Sequence, residues 1–102
     1  MPLPFFRRCS VNGKKRLVRG NHDLYKTSKY FEYFEEIYGS RQINGVWLTH
    51  IPMHPNSVER AKLNIHGHTH AFCLDDPKYF NASVEAINYT PISIDTVLEK
   101  LP

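Results

Sequence analysis

Three short fragments of this chain carry residue types that can do chemistry: "GNHD" at 20–23, "LTHIP" at 48–52 and "HGHTH" at 66–70. Each offers imidazole or amide oxygen. Divalent ions such as Mn²⁺, Fe²⁺ and Zn²⁺ accept mixed nitrogen and oxygen ligands of this kind. An imidazole that titrates near neutrality can also pass a proton to or from a reacting group. Glycines at 20 and 67 permit sharp turns, so neighbouring side chains can converge. None of the fragments decides the matter alone, because "NIHGHTH" is equally readable as a wet histidine-rich loop. What counts is whether the fold brings the three together.

The elements that would position them read as mixed α and β. Leu17 and Val18 make a short buried-type strand that stops at Gly20. Over 27–38 the spacing of Tyr30, Phe31, Phe34, Ile37 and Tyr38 predicts a helix, capped by Thr27 or Ser28 and ended by Gly39. Its aromatic stripe reads as a core-facing side, not a stacking surface for bases. "RQINGVWLTH" predicts two strands around an Asn44-Gly45 turn, a strong hairpin signal, and the second strand ends at His50. "HPNSVERA" reads as a loop or one helical turn, and "KLNIH" as a strand running into Gly67. "YFNASVEAI" alternates like a strand, and Ser93 can cap a last helix reaching Lys100. Every candidate ligand thus falls at the carboxyl end of a strand, where sites in α/β folds gather.

The bulk numbers fit one small domain over 1–102. Of the 102 residues, 41% are hydrophobic and 23% charged, which is ordinary for a globular protein. A net charge of +3 tolerates an anionic substrate but does not argue for nucleic-acid binding, which stays open. The early basic residues Arg7, Arg8, Lys14, Lys15, Arg16 and Arg19 read as a solvated loop flanking a strand. Cys9 and Cys73 form no Cys-x-x-Cys pair, which favours a reducing compartment, and Cys73, three residues after His70, reads as a packed thiol rather than a soft-metal ligand. No apolar run is long enough to cross a membrane and no signal peptide is legible, so a cytoplasmic protein is expected.

Taken together, Gly20-Asn21-His22-Asp23, the strand-end His50 and Gly67-His68-Thr69-His70 resemble the third, fourth and fifth motifs of the calcineurin-like metallophosphoesterase family, in that family's order. "NGKKRLVRGNHD" and "YFNASVEAINYTPIS" also look like its small bacterial and phage members. The resemblance implies an α/β (α+β) fold, the C-terminal half of a layered β-sandwich flanked by helices. It implies a hydrolase acting on phosphate esters through a metal-bound hydroxide. Asn21, His50 and His68 would bind one metal of a pair, and His70 the other. His22 would contact the phosphate together with Asn21 and act as general acid. Asp23 would either hold the His22 tautomer or cap the next helix. Arg19 would help bind phosphate or else point away along its strand. His54 and His66 are surplus, with a supporting or surface role.

The family's first two motifs, Asp-x-His and Gly-Asp, have no counterpart, since nothing before Gly20 is Asp, Glu or His. They normally supply two ligands and a bridging carboxylate. Asp75, Asp76 and Glu85 have no spacing that marks them as substitutes. A half-sandwich would also leave sheet edges and apolar faces uncovered, so a second copy or a partner chain is expected to cover them. A non-catalytic descendant, a binding or inhibitor protein keeping at most one metal, is the alternative. A metal-bound nucleic-acid binder is a third and more distant reading.

Overall fold

The computed structural model describes residues 13–101. It is mixed α and β, with two sheets and three short helices among the described residues. Strand β1 (Arg16–Val18) pairs in parallel with β2 (Glu36–Tyr38), joined through the single turn α1 (Thr27–Tyr30). Gly39 then passes the chain to a four-stranded sheet of β3 (Ser40–Ile43), β4 (Val46–Thr49), β5 (Leu63–His66) and β6 (Tyr79–Asn81), in that spatial order. The helix α2 (Pro55–Val58) lies between β4 and β5, and α3 (Ile94–Glu99) closes the described chain.

The hairpin forms as its turn residues require. Asn44 and Gly45 both take positive φ, 50° and 83°, the left-handed pair of a turn whose twist matches antiparallel strands. From β4 onward the pairing is parallel: Val46 faces Leu63, and Asn64 faces Tyr79. The carboxyl ends of β4, β5 and β6 therefore open on one edge, and three loops leave from there.

Alternation gives the sheet two unlike faces. Val46, Leu48, Leu63, Ile65 and Phe80 form the apolar face and pack with Ile92, Val97, Leu98 and Leu101 from α3 and its flanks. Ser93 caps that helix, accepting from the Thr96 N–H at 3.1 Å. The opposite face is polar yet buried, with Asn64, His66 and Asn81 shielded from solvent.

The helix expected over 27–38 is mostly not a helix. Only Thr27–Tyr30 is helical; Lys26 is the N-cap position with no side-chain bond, and Phe31 is exposed. Glu36–Tyr38 instead joins β1, with Ile37 against Leu17, and the pairing is extended by Glu35 N–H to Lys15 O and Arg19 N–H to Tyr38 O. Aromatic and β-branched residues hold a helix weakly, and here the partner strand supplies their hydrogen bonds. The strand expected across 79–87 stops at Asn81, whose side-chain oxygen takes the Ser83 N–H and turns the chain. Cys73 is exposed, not packed, and Cys9 lies outside the described residues.

Candidate metal centre

The β1 carboxyl end runs straight into Gly20-Asn21-His22-Asp23. This turn is closed on itself: Gly20 N–H donates to Asp23 Oδ2 at 2.6 Å, and Asp23 N–H returns to Gly20 O at 3.2 Å. The Asp23 carboxylate therefore shapes the loop that presents Asn21 and His22, a use neither of its two expected roles named. Arg19 braces the same loop. Its Nη2 donates to the carbonyls of Asp23 and Tyr25, its Nη1 donates to Thr27 Oγ1, and its guanidinium lies over the Tyr30 ring. With both Nη2 protons taken, Arg19 acts on the site by holding the loop.

Asn21, His50 and His68 arrive from three different loops and meet. Asn21 Oδ1 is 2.7 Å from His50 Nε2, His50 Nε2 is 3.1 Å from His68 Nδ1, and His68 Nδ1 is 3.3 Å from Asn21 Oδ1. Ligands about 2.1 Å from one ion and at right angles to one another lie about 3.0 Å apart. The triangle has that size. With both rings donating to Asn21 Oδ1, protons satisfy two sides and leave two N–H groups facing each other on the third, whereas a divalent cation can take a lone pair from all three corners. Among the described residues no three His, Cys, Asp or Glu side chains converge as a metal-holding group; here the third corner is an amide. Burial and the neighbouring His68 hold His50 below the usual imidazole range, which keeps its ring neutral for coordination.

Close packing sets these positions. A methyl group on Gly20 would lie 2.7 Å from His50 Nδ1, so only glycine admits the ring there. Gly67 N–H donates to His50 O at 2.8 Å and ties the second loop to the third. His68 and His70 adopt positive φ, 68° and 52°, unusual for residues with a Cβ. Left-handed backbone at both positions ends any straight-strand geometry with His66.

Two buried asparagines lie beneath. Asn64 donates through Nδ2 to Trp47 O and Thr49 Oγ1, and accepts from Met53 N–H at 2.9 Å, fastening the loop after His50. Asn81 donates to His70 O at 2.7 Å and Phe72 O at 2.9 Å, fastening the loop after His68. Sequence reasoning missed both. Their signal is a polar residue inside a short, otherwise apolar strand.

No protein-family model matches the chain, and no solved structure matches it. An uncharacterized protein of Methanocaldococcus jannaschii is 36% identical over 98 residues, covering 87% of this chain and 51% of its own length. The chain thus spans about half the length of that relative.

The remaining expected residues line one cavity of ≈ 330 Å³. His22, His50, His68 and His70 share it with Ser83 and Glu85. His70 stands apart from the triangle, its Nδ1 2.5 Å from Glu85 Oε2. That hydrogen bond holds the Glu85 carboxyl below its ordinary range. Ser83 Oγ is buried beside the cavity with no hydrogen-bond partner among the described residues. His54 accepts from Asn56 N–H and caps α2. His66 is buried, its Nδ1–H donating to Gly67 O and its ring edge-on to Tyr79.

Proposed function

We propose that this chain carries the C-terminal part of a metal-dependent phosphoesterase-type hydrolase of the calcineurin-like kind, working in the cytoplasm. The observation that carries the reading is the triangle of Asn21 Oδ1, His50 Nε2 and His68 Nδ1, whose sides of 2.7, 3.1 and 3.3 Å suit the ligands of one divalent ion. A divalent cation such as Mn²⁺, Fe²⁺ or Zn²⁺ bound there supplies Lewis acidity toward a phosphate oxygen and toward water. The protein's own residues do the rest. His50 stays neutral and is packed against Gly20, so its lone pair is fixed in direction. His22 lines the same cavity and can donate to a phosphate oxygen and hand a proton to the leaving oxygen. Asp23 and Arg19 hold the turn that presents it.

One observation favours a second reading, a binding or inhibitor protein that engages a partner chain over the site. Ile51, Phe72 and Val84 are 56%, 67% and 53% exposed and lie within two residues of His50, His70 and Glu85 in the chain, Val84 lining the same cavity. Apolar side chains around a polar site form a rim that a partner chain or a second copy can cover.

Hydrolysis of bis(p-nitrophenyl) phosphate, with and without Mn²⁺ and beside a His68→Ala control, separates the two. Mn²⁺-dependent turnover lost in the control supports the hydrolase. No turnover above the control overturns catalysis by this chain and leaves the binding reading.

A further inference from the structure

Resting on the metal-centre reading above, the geometry points to Glu85 as the positioning residue that fixes the His70 ring as the nitrogen ligand of a second cation. Glu85 sits in the turn after β6, fifteen residues from His70, and nothing in the motif pattern marks it.

The distance decides what the pair is. Two ligands of one ion lie about 3.0 Å apart. His70 Nδ1 and Glu85 Oε2 are 2.5 Å apart, at the short end of charge-assisted hydrogen bonding. Nδ1 therefore carries the proton and donates it to the carboxylate, and Nε2 is the nitrogen left to coordinate. A carboxylate behind a ligating histidine selects the tautomer, fixes the ring and raises its basicity.

The backbone agrees with that role. Asn81, only 6% exposed, donates to His70 O and accepts from Ser83 N–H, so one side chain clamps both segments of the pair. The His70 ring is thus held through its main chain by Asn81 and through Nδ1 by Glu85. Exposed ion pairs contribute little to stability, and the His70 side chain is 76% exposed. A clamp on so open a ring is explained by orientation, not by folding. The ring lines the cavity shared with His22, His50 and His68, where a second ion beside the triangle would lie.

The test uses the full chain with Glu85→Ala and Glu85→Gln, and Glu85→Asp as the conservative rescue. Long-range ¹H–¹⁵N spectra of the metal-free proteins read the His70 tautomer, and Mn²⁺ titration followed by the free-ion EPR signal reads binding. The wild type should show the proton on Nδ1 and bind two ions. In Glu85→Ala and Glu85→Gln the Nδ1–H form should lose its dominance. The weaker Mn²⁺ step should lose roughly 10–100-fold in affinity, with the step removed by His68→Ala unchanged and Glu85→Asp restoring part of the loss. A His70 tautomer unmoved in Glu85→Ala overturns the assignment whether or not metal binds. So does a moved tautomer with both Mn²⁺ steps intact. A wild type that binds one Mn²⁺, in the step that His68→Ala removes, overturns the second-cation assignment and leaves the triangle standing. A wild type that binds none defeats the metal-centre reading itself, and this assignment with it.

Discussion

Gly20 and His50 are packed so tightly that a methyl group on the glycine would lie 2.7 Å from Nδ1 of the ring and 2.8 Å from Cε1. The pair joins the β1 loop to the end of β4, and so joins Asn21 to the imidazole it meets at 2.7 Å. Gly20→Ala must push the ring aside. Mn²⁺ affinity should fall roughly tenfold or more, as when the setting of a ligand is lost. The thermal midpoint should shift little, because the loop is at the surface. Parallel titration and thermal unfolding check this, and an unchanged affinity would mean that the ring position does not matter.

The asparagines under the site should be costly to remove. Asn81→Ala takes the donors from His70 O and Phe72 O, and Asn64→Ala takes the acceptor from Met53 N–H. Each removes the hydrogen bonds and packing of a buried side chain and should destabilise the protein by about 1–2 kcal/mol. Urea unfolding measures that loss. Mn²⁺ binding should weaken in both variants, since each asparagine holds a ligand-bearing loop.

How legible the site was follows from what each residue depends on. Asn21, His50, His68 and His70 could be nominated from sequence because each follows a strand and carries a ligand atom. Hairpin β3–β4 was legible because Asn44-Gly45 dictates its own turn. Asn64, Asn81 and Glu85 were not, since their value lies in partners 9–17 residues away across loops. The segment 27–38 misled for the same reason. Its helical spacing is local, while the pairing of Ile37 with Leu17 is decided by a strand twenty residues earlier.

Acid should loosen the metal-free fold in two stages. The His50 pKa is lowered in the fold by burial and then by His68, so below pH 6.5 the unfolded chain takes up a proton that the folded chain resists. Its contribution is complete above pH 6.5 and is lost as the pH falls toward the lowered folded value. Glu85, lowered mainly by its bond to His70, adds a second and much smaller loss below pH 4.5, because the pair is exposed. Unfolding midpoints in EDTA across pH 4–8 should show the upper stage in the wild type and not in His50→Gln.

Arg19 should act through the loop. Arg19→Lys keeps the charge but cannot reach Thr27, Asp23 and Tyr25 together. A loss of about 1 kcal/mol is expected, as for a hydrogen bond or two at a half-exposed position. Under the hydrolase reading, kcat should fall more than KM rises, because the loop presents His22. A rise in KM alone would return Arg19 to direct phosphate binding.

The most direct test of the metal centre is an equilibrium Mn²⁺ titration of the wild type beside Asn21→Ala, His50→Ala and His68→Ala. The three donor atoms form one ligand set, so each single variant should remove the same binding step. If all three variants bind Mn²⁺ as the wild type does, the triangle is a hydrogen-bonded cluster and not a metal site.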